Sequence, residues 1–375
     1  MNVRALPARG TPIAQVDTPA LVIDLDAMQR NLAAMALYAS ERRMRLRPHA
    51  KMHKSATIAK LQIEAGAVGV CVQKLSEAET LAALGVTDIF ISNEIVDPAK
   101  LDRFAALAGD IRLAIAVDSA LGVERLASAL KARGSSADVF VEIDVGQGRC
   151  GVAPTAAGQL AHQVVSHGLH FAGLQAYHGK AQHLRSAAER EATLRHTVAL
   201  VRAAQAGITR AGIACPLVTG AGTGSFVHET ESGLYAELQC GSYLFMDRDY
   251  ADNEPTPRAP RFEHALFVKS QVMSRGASHA VVDAGHKAHA IDSGLPAVWQ
   301  RELEFANGGD EHGILRPRGQ PGAAALPELG ETVWLVPGHC DPTVNLHDHY
   351  VVVRGGLADG VVEAVWPVDT RGHVT

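Results

Sequence analysis

The sequence predicts an α/β protein in which a TIM-type (β/α)8 barrel over residues 25–250 is joined to a C-terminal β-rich domain. From 45 to 247, short runs rich in Val and Ile alternate with stretches of helical periodicity. After Asp247, prolines at 255, 257 and 260 interrupt the chain, and the pattern becomes that of alternating strands. A chain of 375 residues accommodates one barrel, which takes about 250 residues, together with a smaller domain.

Eight strand candidates account for the barrel. The segments between them have helical periodicity and are long enough for right-handed crossovers, most clearly at 54–65, 75–84 and 186–206. The strand candidates are 45–50, 69–73, 88–93, 112–118, 138–144, 171–178, 216–220 and 235–243.

The β-rich domain is predicted to comprise residues 1–24 and 251–375. Its strand candidates lie within 262–284, 331–337 and 349–366, with little helix between them. The segment Ala20 to Asp24 precedes the barrel and also reads as a strand, so we expect it to pair with this second domain.

Composition points to a globular enzyme and against several other classes. The chain is 47% hydrophobic, 20% charged and 5% aromatic. These fractions are ordinary for a soluble globular enzyme, and the hydrophobic fraction is sufficient for a large buried core. A net charge of −5 without a long basic run argues against a nucleic-acid partner. No apolar stretch of about 18 residues or signal-peptide core occurs, so we expect no membrane association and a cytoplasmic location. Five widely spaced cysteines argue against disulfides and a zinc ribbon.

Nearly every barrel strand is followed by polar residues that could serve a functional site. Functional groups of such barrels gather at the C-terminal ends of the strands, so these positions are the site candidates. They are His49, Lys51, Gln73, Asn93, Glu94, Asp118, Asp144, Gln147, Arg149, Gln175, Tyr177, His178 and His183.

Two lysines follow the first strand. Lys51 lies at the strand end and can point into the barrel mouth, whereas Lys54 is expected in the first turn of the next helix, facing phosphate or solvent. A lysine that forms a Schiff base needs a lowered pKa, which burial among cations would supply. A solvated helix start is the alternative interpretation of this motif.

Glycine-rich loops follow the seventh and eighth strands, at 220–225 (GAGTGS) and 241–243 (GSY). Small residues let backbone N–H groups approach an anion, and barrels commonly bind phosphate at these two loops. Together with the lysine after the first strand, the two loops predict a phosphate site.

An imidazole and a carboxylate, His339 and Asp341, stand two residues apart near the C-terminus. In an extended chain, residues i and i+2 project to the same face, so both can bind one ion while Cys340 points away. Nitrogen and oxygen ligands suit Mn²⁺, Mg²⁺ or Zn²⁺. A surface turn is the alternative, and a second cluster, Asp310, Glu311 and His312, could border the same site or form a plain loop.

Taken together, these segments resemble the D-threonine aldolase group of the alanine-racemase-like (fold type III) pyridoxal-phosphate enzymes, which includes the 3-hydroxy-D-aspartate aldolases. The resemblance spans almost the whole chain in order. The matching runs are 16–20 (VDTPA), 47–54 (RPHAKMHK), 72–78 (VQKLSEA), 142–151 (EIDVGQGRCG), 174–179 (LQAYHG), 220–225 (GAGTGS), 237–243 (ELQCGSY), 310–313 (DEHG) and 338–343 (GHCDPT).

The resemblance implies a role for each matching residue. Lys51 would carry pyridoxal 5'-phosphate as a Schiff base, and His183 and Asp310 would be the candidate base and the acidic neighbour of the metal. Residues implied to surround the cofactor are Gln73, Arg149, Tyr177, Gly222, Thr223, Gly241, Ser242 and Tyr243. His339 and Asp341 would bind a divalent metal, Mn²⁺ or Mg²⁺ before Zn²⁺, because the related D-serine dehydratases place His and Cys there for zinc.

The implied reaction is cleavage of a D-3-hydroxy amino acid to glycine and an aldehyde, by a homodimer with its site at the interface. A dehydratase that forms a 2-oxo acid and ammonia would use the same groups and stays open. A cofactor-homeostasis protein and a racemase would share the barrel. The extra β domain and the His339 and Asp341 pair argue against the first, and a racemase needs no divalent metal and would want a second base, typically tyrosine, from the partner subunit. Lys180 departs from the family, which we expect to have a small residue there, so it is either solvent-facing or placed for a substrate carboxylate.

Overall fold

The computed structural model describes residues 6–319 and 325–375 and contains two sheets, one of eight strands and one of nine. Residues 1–5 of the predicted β-rich domain lie outside the described residues. None of the described helices has the length and hydropathy that a transmembrane helix requires.

The described helices and strands follow one another in a regular order. In chain order they are β1 (Ala20–Asp24), α1 (Leu25–Glu41), β2 (Arg45–Leu46), α2 (Ala56–Glu64), β3 (Val70–Val72), α3 (Leu75–Ala83), β4 (Asp88–Ile91), α4 (Pro98–Leu107), β5 (Arg112–Val117), α5 (Ala120–Arg133), β6 (Asp138–Glu142), α6 (Ala157–Ser166), β7 (His170–Ala176), α7 (Ala187–Arg210), β8 (Val218–Gly220), α8 (Phe226–Glu231), β9 (Glu237–Leu238), α9 (Arg248–Ala251), β10 (Leu266–Arg275), β11 (Ala280–Val282), β12 (Ala297–Val298), β13 (Leu303–Asn307), β14 (Gly313–Pro317), β15 (Thr332–Val336), α10 (Cys340–Val344), β16 (His349–Arg354), α11 (Gly356–Asp359) and β17 (Val361–Pro367).

The eight-stranded sheet confirms the predicted barrel. Its strands are parallel and run in the order β2-β9-β8-β7-β6-β5-β4-β3. A parallel bridge between His49 and Cys71, with the Cys71 N–H donating to the Pro48 carbonyl at 2.8 Å, joins the two ends of this order. The strands therefore form a ring, and all eight lie within or next to the segments that the sequence predicts, although most are shorter.

Local sequence sets where the barrel helices begin and end. The Asp24 carboxylate caps α1 by accepting from the Ala27 N–H at 3.1 Å, and Ser119 caps α5 in the same way at 3.2 Å. α5 ends at Gly134, whose φ of 64° is the left-handed conformation that glycine adopts without a Cβ clash. The three helices predicted at 54–65, 75–84 and 186–206 are observed as α2, α3 and α7, with bounds that differ from the prediction by at most four residues.

The barrel interior separates an apolar layer from a charged one. Phe90 and Phe140 pack in the centre with their ring centroids 4.7 Å apart. Below them, where the strands begin, Arg47 is buried and pairs with Asp88 at 2.6 Å and Glu237 at 3.2 Å. These charges pair with one another around a smaller cavity of about 220 Å³ at this end of the barrel.

The nine-stranded sheet is the β-rich domain, and it includes the N-terminal strand as predicted. β1 pairs antiparallel with β10 and parallel with β16. The path through the sheet is β13-β14-β11-β10-β1-β16-β17, with β15 also pairing β10. Because β1 leads directly into α1, the second domain is tied to the barrel at its first helix as well as after its last strand.

Candidate active site

A cavity of about 440 Å³ opens at the C-terminal ends of the barrel strands. The barrel supplies most of its wall, and the segment before α10 in the second domain supplies the rest. Eleven of the thirteen site residues predicted from the sequence line this cavity: Lys51, Gln73, Arg149, Tyr177, His183, Gly222, Thr223, Gly241, Ser242, His339 and Asp341.

Lys51 lies in a single turn of 3-10 helix, Ala50–Met52, directly after the first barrel strand. Its ammonium group donates to the Asp341 carboxylate at 2.6 Å. Burial, the largest single influence, lowers the pKa of Lys51, but the charge and hydrogen bond of Asp341, together with the charges of Tyr177 and Glu77, raise it overall. The expected lowering of this pKa by neighbouring cations is therefore wrong for the free amine, because a carboxylate that is distant in sequence supplies the dominant charge.

The second lysine of the motif is structural, and its predicted exposure is wrong. Lys54 is buried and lies before α2 with a φ of 52°. Its ammonium group donates to the Glu77 carboxylate at 2.7 Å and to the Thr370 carbonyl at 3.3 Å. Lys54 thus joins the barrel to the C-terminal segment, and Lys51 is the lysine of this motif that reaches the cavity.

His49 forms part of the cavity floor next to Lys51. Its Nε2 lies 2.9 Å from the Gln73 side-chain nitrogen and 3.3 Å from the Ser92 hydroxyl. Burial, followed by the charge of Lys51, holds the pKa of His49 well below its usual value. The neutral imidazole can accept a hydrogen bond in these contacts and presents an uncharged surface to the cavity.

Arg149 and Tyr177 stand together on the wall that follows the fifth and sixth barrel strands. The guanidinium carbon lies 5.9 Å from the centre of the Tyr177 ring. Burial raises the pKa of the phenol, although the Lys51 and Arg149 charges oppose this. Tyr177 therefore stays protonated and can donate a hydrogen bond into the cavity.

Behind Arg149, two carboxyl groups influence each other. Glu142 lies 4.0 Å from the guanidinium, and the charge of the nearby Glu94 acts on it. Burial, then the charge of Glu94, raises the pKa of Glu142 to about 9. Glu94 also lies in a group with Asp118 and Cys150 whose potential ligand atoms are within 4.8 Å of one another.

We expect the Glu142→Gln variant to gain stability relative to the wild type as pH rises from about 6 to about 8.5. A carboxyl group whose pKa is higher in the folded state binds a proton that the unfolded state has lost, so its contribution to stability falls with increasing pH, by up to about 1.4 kcal/mol per pH unit. Gln keeps the neutral shape without this slope. Thermal unfolding across that pH range measures the effect, and parallel curves for the two proteins would contradict it.

The two glycine-rich loops place free backbone donors on one side of the cavity. Within the described residues, the N–H groups of Thr223, Gly241 and Ser242 make no hydrogen bond. A Cβ on Gly222 would lie 2.4 Å from the Gln182 side-chain oxygen, which accepts from the Gly224 N–H at 2.9 Å, so a larger residue would displace this side chain. Such a group of donors has the chemistry to hold a phosphate.

Tyr243 does not line the cavity but supports the loops from behind. Its backbone N–H donates to the Thr223 hydroxyl at 3.0 Å, and its phenol accepts from the Gln62 side chain at 3.3 Å. Its side chain is fully buried. In this chain Tyr243 therefore fixes the two glycine-rich loops to each other.

His339 and Asp341 face the cavity together. Nε2 of His339 lies 3.5 Å from Oδ1 of Asp341, and this oxygen is buried without a hydrogen-bond partner. Asp247 accepts from Nδ1 of His339 at 2.8 Å and from the Cys340 N–H at 2.9 Å. Burial would lower the pKa of His339, but the hydrogen bond to Asp247 and the carboxylate charges raise it to about 9.

The free Asp341 oxygen and the nearby imidazole nitrogen match the donor set of a divalent cation. Asp247 would hold the ring in place through Nδ1, as carboxylates commonly do behind a metal-bound histidine. The Cys340 sulfur contacts the Met246 carbonyl at 3.5 Å instead of the cavity. The residues therefore fit a metal ion with one nitrogen and one oxygen ligand from this chain.

His183 forms a dyad with Asp249 at the open side of the cavity. Nδ1 of His183 lies 2.6 Å from the Asp249 carboxylate, which also accepts from Arg185. Burial alone would raise the pKa of Asp249, but His183 and Arg185 lower it. When Nδ1 carries the hydrogen in this bond, Nε2 of His183 is the free acceptor.

Asp310 is not one of the residues that line this cavity. It follows β13 in the loop to β14, where it is half-exposed and pairs with His286 at 2.7 Å and Lys287 at 3.2 Å. The structure thus does not bring Asp310 into the cavity that His339 and Asp341 line.

Sequence reasoning did not select Asp247, Asp249 or Tyr250. All three belong to the segment around α9, and Tyr250 lines the cavity between His183 and His339, with ring centroids 6.3 and 6.1 Å away. The alternation of acids at 247 and 249 after the eighth barrel strand was the available signal, because that strand end also faces the barrel mouth.

Comparison with known proteins matches both parts of the chain to protein families. Residues 23–249 match the model of the alanine racemase N-terminal domain. Residues 265–353 match that of a putative serine dehydratase domain.

Several relatives are similar over nearly the whole chain. A D-threonine aldolase from Arthrobacter sp. is 46% identical, over 97% of this chain and 95% of that protein. A 3-hydroxy-D-aspartate aldolase from Paracoccus denitrificans (strain Pd 1222) is 42% identical, over 99% and 96%. The crystal structure of D-threonine aldolase from Filomicrobium marinum superposes with a TM-score of 0.95 at 46% identity, covering 99% of this chain and all of that one. A D-threo-3-hydroxyaspartate dehydratase from Delftia sp. is more distant, at 32% identity over 93% and 96%.

Proposed function

The chain belongs to the alanine racemase N-terminal domain family, within the group of the D-threonine and 3-hydroxy-D-aspartate aldolases, and on that basis we propose how it acts as an aldolase on D-3-hydroxy amino acids. It is a carbon-carbon lyase, and its products are glycine and an aldehyde. The observation that supports this best is the meeting of three separate groups in one cavity: Lys51, the glycine-rich loops, and the His339 and Asp341 pair.

Pyridoxal 5'-phosphate is the proposed organic cofactor. Lys51 would hold it covalently, and the free N–H groups at Thr223, Gly241 and Ser242 would hold its phosphate. When bound, this cofactor draws electrons from a bond broken at Cα of an amino acid. Arg149 and Tyr177 border the same space, and both are hydrogen-bond donors; Gln73 lies across from them.

A divalent metal, Mn²⁺ or Mg²⁺ before Zn²⁺, is the proposed second cofactor, held by His339 and Asp341. A metal held there would act as a Lewis acid that lowers the pKa of a substrate hydroxyl group. The nitrogen and oxygen donors suit Mn²⁺ and Mg²⁺, while the cysteine that zinc would favour points away from the cavity.

Proton transfer at the β-hydroxyl is assigned to His183. Its Nδ1 is fixed by Asp249, so Nε2 is available to take the hydroxyl proton while the Cα–Cβ bond breaks. The Asp249 carboxylate stabilises the imidazolium that results. Tyr250 packs between His183 and His339 and keeps the two imidazoles apart.

Dehydration remains the second candidate function, because the same groups could serve it. Lys51 would then remove the Cα proton and the β-hydroxyl would leave, giving a 2-oxo acid and ammonia. The greater identity to the two aldolases than to the dehydratase favours cleavage of the carbon-carbon bond.

Product analysis of the purified protein with pyridoxal phosphate and Mn²⁺ tests this function. We expect D-threonine to give glycine and acetaldehyde, D-3-hydroxyaspartate to give glycine and glyoxylate, and EDTA to abolish both reactions. Ammonia with a 2-oxo acid would establish the dehydratase instead. The L-substrates serve as controls and should give no product.

The proposed assembly is a homodimer, and its proposed location is the cytoplasm. Its proposed binding partner is its substrate, a small D-3-hydroxy amino acid. A dimer with the site at its interface would provide a place for Asp310, which is half-exposed in the single chain and does not line its cavity. Five free cysteines fit a reducing compartment. Light scattering of the purified protein measures the number of subunits, and a monomer with full activity would contradict the interface site.

A further inference from the structure

Lys180 and His183 project from one short element into the cavity. They are the first and last residues of a 3-10 helix, Lys180–His183, which follows the sixth barrel strand. Side chains three residues apart in a 3-10 helix lie above one another. Ala181 and Gln182, between them, are fully buried. Lys180 is therefore held on the same side as His183, and both line the cavity.

The backbone around Lys180 is fixed by side chains of the barrel. The Gly179 N–H donates to the Gln147 side chain at 2.7 Å, and the Ala181 N–H donates to His178 at 3.3 Å. Gln182 donates to the Ser225 hydroxyl at 2.7 Å. Lys180 is thus the exposed end of a rigid turn whose position relative to the glycine-rich loops does not depend on its own side chain.

The charge of Lys180 is not neutralised by the protein. Within the described residues, no carboxylate pairs with it, and Asp341, the cavity's carboxylate, already bonds to Lys51 at 2.6 Å. Lys51, Arg149 and Lys180 therefore give the cavity an excess of positive charge. An anionic group of a substrate can use the Lys180 ammonium without displacing an existing ion pair.

We propose that Lys180 binds the second carboxylate of a D-3-hydroxy dicarboxylic amino acid, so that substrates of the 3-hydroxyaspartate type are preferred over D-threonine. The inference rests on the proposed function. The β-hydroxyl and the β-substituent of the substrate are bonded to the same carbon. Because His183 is the proposed base for the hydroxyl and Lys180 lies one 3-10 turn from it, the Lys180 ammonium is placed near the substituent. A methyl group gains nothing from an ammonium there, whereas a carboxylate gains a charged hydrogen bond.

Specificity of the Lys180→Met variant tests this inference. We expect the ratio of kcat/KM for D-3-hydroxyaspartate to that for D-threonine to fall about 10- to 100-fold, mainly through a higher KM for hydroxyaspartate. Lys180→Arg should retain most of the ratio because it keeps the charge. Lys131→Met, which removes an exposed lysine from α5, is the matched control and should leave the ratio unchanged.

Binding of ligands that cannot be cleaved separates this inference from the proposed function. D-aspartate and D-2-aminobutyrate both lack the β-hydroxyl, so their spectral titration of the cofactor-loaded protein is independent of turnover. Weaker binding of D-aspartate alone to Lys180→Met would support the inference even if the wild type proved not to be an aldolase. An unchanged substrate ratio, or equal weakening of both ligands, would overturn it while the aldolase assignment stands.

Discussion

Replacing Lys51 with Arg is expected to abolish aldolase activity, lowering kcat/KM about a thousandfold or more, while the fold is retained. Arg keeps the positive charge that Asp341 contacts at 2.6 Å, so the buried carboxylate keeps a partner. A guanidinium stays protonated and cannot form a Schiff base. The variant therefore removes the covalent role of this residue and leaves its electrostatic role largely in place.

Borohydride reduction of the cofactor-loaded protein, followed by peptide mass spectrometry, identifies the attachment site directly. We expect the label on Lys51 in the wild type and on no lysine in Lys51→Arg. Lys60→Ala removes an exposed lysine from α2 and is the control for a general effect of lost charge. Substantial activity in Lys51→Arg, or a label on Lys180, would show that the attachment site has been assigned incorrectly.

Removing the charge altogether has a second expected consequence. In Lys51→Ala, Asp341 would lose the cation that, with His339, holds its pKa below the usual range. A carboxylate whose pKa is lowered in the folded state contributes stability above its unfolded pKa, and this contribution shrinks when the cation is lost. The Ala variant should therefore unfold at a lower temperature than the Arg variant near neutral pH.

The barrel could be read from the sequence because its signals are local. Val- and Ile-rich runs followed by polar residues mark strands whose C-terminal ends meet in the folded barrel. This logic was sufficient to select Lys51, Arg149, Tyr177 and His183, and the structure places all four on one cavity. It needs only the rule that parallel strands in a barrel all end on the same side.

Long-range contacts set the features that could not be read in this way. The direction of the Lys51 pKa depends on Asp341, which lies 290 residues further along the chain. Lys54 was expected to face phosphate or solvent, but Glu77 and the Thr370 carbonyl bury it. In both cases the motif correctly marks a lysine after the first barrel strand. The partner that sets the pKa or the burial of that lysine belongs to another element.

The barrel strands were predicted to be longer than they are, for a related reason. The first strand, predicted over 45–50, ends at Leu46, and the chain then turns so that Lys51 lies in a 3-10 helix. The apolar pattern continues through this turn because Ala50 and Met52 are buried. Burial without strand pairing cannot be distinguished from a strand by hydrophobicity alone.

Replacing Asp341 with Ala is expected to remove metal activation while cofactor binding is retained. Its free oxygen, Oδ1, is one of the two proposed metal ligands, and losing a metal's stabilisation of developing charge costs several kcal/mol, or about a thousandfold in kcat/KM. Lys51 keeps its amine and loses an ion pair that opposes deprotonation. The lysine should thus still react with the cofactor.

Manganese titration, followed by calorimetry or by electron paramagnetic resonance, measures this separation directly. We expect Asp341→Ala to bind Mn²⁺ far more weakly than the wild type and still to show the absorbance of the cofactor bound to lysine. Asp118→Asn is the informative control, because Asp118 belongs to the other group of potential ligands, with Glu94 and Cys150. If Asp118→Asn lost metal activation and Asp341→Ala kept it, the metal would lie behind Arg149, and the β-hydroxyl would have to be activated by His183 and Asp249 alone.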